Sequence, residues 1–280
     1  MSRSATHPKG TFTFPHGIHP PERKELAEGA AIEVVPTPAQ VVVPLTQHIG
    51  AAFPTHVKLA RNPKKPIDTL LVNGCECEPY LTSDYRLMVE APGPVVAGAL
   101  LAAQAAGARD LVIGVEDNKP VAVHALQRAA AGTRVRIAVM RTKYPQGGEK
   151  QLIKAFLGRE VPTLGLPLDV GVVVVNVGTA AAIARAVLRG KPFTHRVITV
   201  TGAGVARPAN LLAPIGISYG ELIELAGGLT PEAARVVAGG PMMGFTISDL
   251  STPVTKGTSG ITVLTRRDVR KAEETNCVRC

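Results

Sequence analysis

The chain has 280 residues, a formal net charge of +9, 45% hydrophobic and 19% charged residues. That is enough apolar material for one large domain or two smaller ones, and it excludes a disordered chain. Aromatic residues make up 4% with no Trp, so the interior must be built from Ala, Val, Leu and Ile.

The excess of positive charge suits acidic partners, anionic cofactors or a membrane surface. The basic residues are scattered and no basic helix with interleaved aromatics occurs, which argues against nucleic acid. The start, "MSRSATHPKGTFTFPHG", lacks the continuous apolar stretch of a signal peptide and points to a cytoplasmic protein. Its four cysteines are then reduced thiols or metal ligands.

Residues 1–50 are Pro-rich and loop-like, closed by a strand-like "VVVPL" at 41–45. Strands are expected at 67–74, 109–116, 134–142 and 171–176, each without polar alternation. Helices are expected between and after them at 93–108, 119–132, 147–158 and 178–190. This pattern predicts an α/β domain over 51–193, a parallel sheet covered by helices on both faces. Residues 170–188 are the most membrane-like stretch, but Asn176, Thr179 and Arg185 make a buried strand and an Ala-rich helix the better reading. From 194 to 264 the texture changes to β-like runs, Gly and Pro turns and one short helix, "SYGELIELA", which predicts a small α+β module. A charged tail, 265–280, ends on a cysteine pair, and no internal repeat is visible.

In open parallel sheets, ligands bind beyond the carboxyl ends of the strands. Three strand-to-helix turns stand out. "NGCECEPY" (73–80) offers Asn73 and Glu76 to a polar heterocycle or a ribose. "KYPQGGEKQ" (143–151) is no Walker loop, yet Gly147 and Gly148 permit close backbone approach, and the following helix start favours an anion. "NVGTA" (176–180) places Asn176 and Thr179 at the same edge. One such turn is an ordinary connection; three in one sheet point to a nucleotide-like cofactor. Phe53 could stack on a flat ring and Lys58 meet a phosphate, although alone they read as a core Phe and a solvated Lys.

Cys277 and Cys280 form a C-x-x-C that fits half a zinc site, a redox dithiol or the opening of an iron–sulfur run. Cys75 and Cys77 could complete a four-cysteine site only with unusual spacing. Among the seven histidines no HxH or HExxH spacing occurs, and there is no G-x-S-x-G elbow.

Taken together, "GIHPPERK", "VPLTQHIG", "AAFPTHVKL", "NGCECEPYLTSDYRLM", "KYPQGGEKQLIKAFLGREVP", "VVVVNVGTAAAIARAV", "VTGAGVARPANLL", "GGPMMGF" and "PVTKGTSGI" resemble RnfC, a component of the Rnf electron-transport complex, over nearly the whole chain. That family is similar to the flavin- and NADH-binding subunit of respiratory complex I. The resemblance implies a peripheral redox protein at the cytoplasmic face of the membrane, in an ion-translocating ferredoxin:NAD+ oxidoreductase. FMN would exchange hydride with NAD(H) and pass electrons to [4Fe–4S] clusters.

By the same resemblance Gly50, Phe53, Lys58, Asn73, Glu76, Tyr144, Gly147, Gly148, Glu149, Lys150, Asn176 and Thr179 surround the cofactors, with Glu149 on the nicotinamide side as the catalytic residue. Residues 194–264 would be a β-grasp module of the soluble-ligand-binding type. Cys277 and Cys280 would be the first two ligands of a ferredoxin-like cluster region. Partners would be the membrane subunits of the complex and a ferredoxin. Two departures stand against the family pattern: its β-rich sandwich segment is not seen between "QHIG" and "AAFPT", and the sequence stops after one C-x-x-C. The rival reading is a non-catalytic ligand-binding or scaffold protein that retains the fold.

Overall fold

The computed structural model of the chain describes residues 32–34 and 54–269. In chain order its first elements are β1 (Ile32–Val34), α1 (Thr55–Leu59), β2 (Thr69–Gly74), α2 (Ser83–Glu90), α3 (Pro92–Ala106), β3 (Asp110–Glu116) and α4 (Pro120–Ala130). There follow β4 (Arg136–Met140), α5 (Glu149–Leu157), a 3-10 turn at Pro167–Val170, β5 (Val172–Asn176) and α6 (Val177–Arg189). The remainder is β6 (His195–Thr201), β7 (Ala209–Pro214), α7 (Tyr219–Leu225), β8 (Ala233–Ala238), β9 (Phe245–Ile247) and β10 (Gly260–Thr265). The strand expected at 41–45 lies outside the described residues.

The first sheet has the order β4-β3-β2-β5, with every neighbouring pair parallel. Side chains alternate across it, so consecutive apolar residues feed two different cores. Leu70, Val72, Leu111, Ile113, Val173 and Val175 join α2, α3, α4 and α6 on one face. Leu71, Val112, Val172 and Val174 meet Leu152 and Ile153 of α5 on the other. Helices on both faces explain why the strands read as unbroken Val and Leu runs. α3 and α6 pack so closely that a Cβ on Gly98 would lie 1.7 Å from the carbonyl oxygen of Ala180. No single helix among the described residues is long and apolar enough to cross a membrane.

Two helices were not foreseen, the five-residue α1 and the longer α2. Ser83–Glu90 follows the acidic loop at once, and its capping residue Thr82 makes no side-chain cap bond. Instead the Glu76 carboxylate accepts the N–H groups of Asp84 and Tyr85 at 2.9 and 3.0 Å. The cap comes from the far end of the preceding loop, beyond the range of the usual start signals.

The second sheet has six strands in the order β1-β7-β6-β10-β8-β9 and is mixed. Tyr219, Leu222 and Ile223 of α7 cover its apolar face with Ile198, Val200, Leu211, Ile261 and Val263. β1 adds to it in parallel with β7, Ile32 opposite Asn210. A stretch of the N-terminal segment thus pairs the outer edge of this sheet.

Candidate functional site

The carboxyl ends of β2 and β5 lie side by side, and Asn73 and Asn176 are Cα partners in the parallel register. Each asparagine works on the backbone at its own strand end. Asn73 Nδ2 donates to the carbonyl of Gly147 at 2.8 Å, and its Oδ1 accepts from the Cys75 N–H at 3.0 Å. Asn176 Oδ1 accepts from Gly178 N–H at 2.7 Å and caps α6, while Nδ2 donates to Asp84 Oδ2 at 2.6 Å. One asparagine therefore ties the acidic loop to the Gly-Gly turn, and the other ties α6 to α2. The Gly-Gly turn is packed onto its neighbour: a Cβ on Gly147 would sit 2.3 Å from the Cys75 carbonyl oxygen. Gly147 N–H donates to the Cys77 sulfur at 3.2 Å.

These strand ends form one wall of a cavity of about 610 Å³, with Asn73, Glu76, Tyr144, Gly147, Gly148 and Asn176 among its lining. The opposite wall comes from the second sheet: Gly239, Met243, Phe245, Thr255 and Thr258 also line it. The two walls are stitched by polar contacts. Glu78 Oε1 accepts the N–H groups of Met242 and Met243 at 2.8 and 3.0 Å. Thr82 N–H donates to Thr199 Oγ1 at 3.0 Å, and its hydroxyl meets Asn210 at 3.2 Å.

Charge at the junction is concentrated on few groups. Burial, and next the neighbouring Asp84 carboxylate, push the Glu76 carboxyl up to about 8. Burial likewise raises Asp84, opposed by the Asn176 hydrogen bond and then by the Arg196 guanidinium. The two carboxyls behave as a unit that keeps a proton to higher pH than a free carboxylate does. Arg196 comes from β6 of the second sheet, and its side chain also donates to the Lys256 carbonyl. Burial pushes the Cys75 thiol up to about 12, which leaves it a neutral, unreactive group at neutral pH.

Of the residues expected from sequence, the cavity wall gathers Asn73, Glu76, Tyr144, Gly147, Gly148 and Asn176. Lys58 and Glu149 stand beside it as an ion pair, Nζ to Oε1 2.6 Å, with Lys58 also donating to the Val174 carbonyl at 3.2 Å. Lys150 leans away, its ammonium 3.4 Å from the Pro162 carbonyl. Thr179 is 3% exposed within the first turn of α6 and is off the wall. Gly50, Phe53, Cys277 and Cys280 lie outside the described residues.

Sequence reasoning missed Glu78, Asp84 and Arg196. A second acid two residues after Glu76 was the available signal for Glu78. Nothing local marks Arg196, which arrives from another sheet.

Comparison with known proteins gives these elements a family. The model of the Nuo51 FMN-binding domain matches residues 45–185, just over half of the chain. The chain belongs to the Nuo51 FMN-binding domain family. In this family member an SLBB domain matches residues 197–246. The barrel sandwich hybrid domain of RnfC matches 12–62, a span that crosses the junction of Gly50 and Ala51.

Around this FMN-binding domain the similarity extends to curated relatives, each the C component of its complex. The chain is 48% identical over 82% of its length to that component of the proton-translocating ferredoxin:NAD(+) oxidoreductase complex of Clostridium ljungdahlii, covering 50% of that protein. It is 47% identical over 82% to the Na(+)-translocating counterpart of Acetobacterium woodii, covering 52% of it. The corresponding component of the ion-translocating oxidoreductase complex of Rhodobacter capsulatus is 44% identical over 82% of the chain, which covers 45% of it. The chain thus spans about half the length of these curated relatives. Among solved structures, an NAD+-reducing [NiFe]-hydrogenase matches with a TM-score of 0.65 and 26% identity, over 78% of this chain and 44% of that one.

Proposed function

We propose that this chain is the FMN- and NAD(H)-binding part of the RnfC component in an Rnf-type ferredoxin:NAD+ oxidoreductase. The observation that carries the reading is convergence: three strand-to-helix turns of one parallel sheet meet at a single cavity, inside the stretch matched by the Nuo51 FMN-binding domain. Its volume of about 610 Å³ falls within the ~300–1,000 Å³ of cofactor sites. The donor set also fits. Tyr144, 43% exposed at the rim, offers a ring face, and the buried Glu78 Oε2 lacks a hydrogen-bond partner among the described residues.

When bound, FMN would accept a hydride from NADH and release electrons singly to [4Fe–4S] clusters, the first ligands of which would be Cys277 and Cys280. The chain's own residues would prepare that exchange. Asn73 holds the Gly-Gly turn in place, so the amides at the start of α5 are fixed before an anionic ligand arrives. Lys58 fixes the Glu149 carboxylate in one position, from which it would accept a hydrogen bond from the nicotinamide amide. The turn at Gly240–Met243, bound to Glu78, lines the cavity from the side of the second sheet. The membrane subunits of the complex would be its partners, a ferredoxin its electron donor or acceptor, and the cytoplasmic face its location.

Reconstitution with FMN followed by gel filtration tests the reading. Flavin absorbance should travel with the protein at one equivalent. A colourless protein at saturating FMN would overturn it and favour the scaffold reading.

A further inference from the structure

The two walls of the 610 Å³ cavity differ in chemistry. At the strand ends the wall is polar, with Asn73, Glu76, Asp84 and Asn176 beside the Gly147–Gly148 backbone. The wall from the second sheet carries Met243 and Phe245, 78% and 69% exposed. The hydroxyls of Thr255 and Thr258, on the same side, meet each other at 3.3 Å.

The turn that bears the two apolar side chains is pinned. Glu78 Oε1 accepts the Met242 and Met243 amides, and Gly244 N–H donates to the Gly240 carbonyl at 2.9 Å. A Cβ on Gly244 would lie 2.4 Å from that same oxygen, and one on Gly240 would lie 2.4 Å from Glu78 Cγ. Phe245 then opens β9 opposite Ala238 of β8. Single exposed apolar residues need no explanation. Here a methionine and a phenylalanine share one fixed turn and one cavity, facing a polar wall.

A ring that satisfies both walls is polar at one end and apolar at the other. The isoalloxazine of FMN has that form: carbonyls and an N–H at its pyrimidine end, two methyl groups at its benzenoid end. Nicotinamide and adenine each carry a polar exocyclic group and have no methylated end. Thioether and phenyl groups both make favourable contacts with an aromatic ring. We propose that Met243 and Phe245 hold the methylated end of the FMN ring, which makes the second sheet part of the flavin site. The assignment rests on the flavin reading above and extends it. Both residues lie outside the stretch matched by the FMN-binding domain, 45–185, and inside the SLBB match, 197–246.

The test is a flavin fluorescence titration of the full chain with FMN and with 7,8-didemethyl-FMN, which lacks the two methyl groups. The native chain should bind the demethylated flavin about tenfold more weakly, as expected for two buried methyl groups. Phe245→Ala should weaken FMN about tenfold but demethylated FMN less than about threefold. Phe245→Tyr should restore FMN binding, and Met243→Ala should weaken it about threefold. Melting temperatures should not move, since both side chains are exposed. The proposal is overturned if the native chain binds both flavins equally. It is also overturned if Phe245→Ala leaves FMN binding unchanged or weakens both flavins by the same factor. In each of those outcomes the native chain still binds FMN, so the flavin reading stands; a native chain that binds neither flavin overturns both.

Discussion

The two sheets reach the same cavity by different means. The parallel sheet holds its wall through backbone: Asn73 and Asn176 sit at paired strand ends and lock the adjoining turns by direct hydrogen bonds. The mixed sheet contributes through a few side-chain and turn contacts across a junction, chiefly the Met242 and Met243 amides on Glu78 and the Arg196 charge near Asp84. The first wall is held where its turn packs on another backbone segment, a Cβ on Gly147 meeting the Cys75 carbonyl oxygen at 2.3 Å. The second wall also has a backbone-packed turn, at Gly244 against the Gly240 carbonyl oxygen, and its sheet adds the Arg196 charge that reaches Asp84. Both sheets therefore set the shape, and the mixed sheet brings charge from a distance.

The sharpest way to break that contrast is Gly147→Ala. The added Cβ would meet the Cys75 carbonyl oxygen at 2.3 Å, and backbone cannot step aside as a side chain can. Overpacking of this kind costs about 2–3 kcal/mol, and FMN retention should be lost. Urea denaturation and flavin fluorescence titration measure the two effects. A variant as stable as the native chain would mean that the parallel-sheet wall is not held by that packing.

Glu149→Gln comes next. If its carboxylate acts on the nicotinamide, NADH oxidation should fall by about tenfold or more, equivalent to the roughly 1.5–3 kcal/mol of a charge-assisted hydrogen bond. FMN affinity should stay within about threefold. Equal loss of both properties would make the Lys58–Glu149 pair a structural strut.

Arg196→Met probes the other sheet. Without the guanidinium, Asp84 loses a neighbouring cation, and the carboxyl pair should hold its proton to still higher pH. FMN affinity should drop only severalfold, about 1 kcal/mol, with partial recovery in Arg196→Lys. A change in binding without a change in its pH profile would show that Arg196 acts by packing alone.

The smallest effect is expected for Glu76→Gln. The folded chain keeps the Glu76 proton up to about 8, whereas an ordinary Glu loses it near 4.5. Between those values the folded state binds more protons than the unfolded one, so stability falls as pH rises through that window. The native melting temperature should decline by a few degrees from pH 5 to 8.5, and Glu76→Gln should flatten the decline. Parallel curves would remove the shared proton from Glu76.

Much of this was legible in the sequence. The unbroken runs "LLVNG", "LVIGVE" and "VVVVN" could only be strands covered on both faces, because a face open to water needs polar alternation. At that edge of the sheet Asn73, Gly147 and Asn176 were readable as candidates, since ligands collect beyond the strands of a parallel sheet, and the structure gathers them on one cavity wall. The tertiary structure alone decided the rest. It turned Glu76 into the cap of a helix that no local signal announced. It set Thr179 inside the packing of α6 and Lys150 on the outer side of α5. It brought Arg196 of β6 to Asp84, and the Met242 amide, from the turn between β8 and β9, to Glu78. Periodicity and turn chemistry act over a few residues and survive in the sequence; the partner of a buried charge is fixed by which distant segments pack together, which no local pattern encodes.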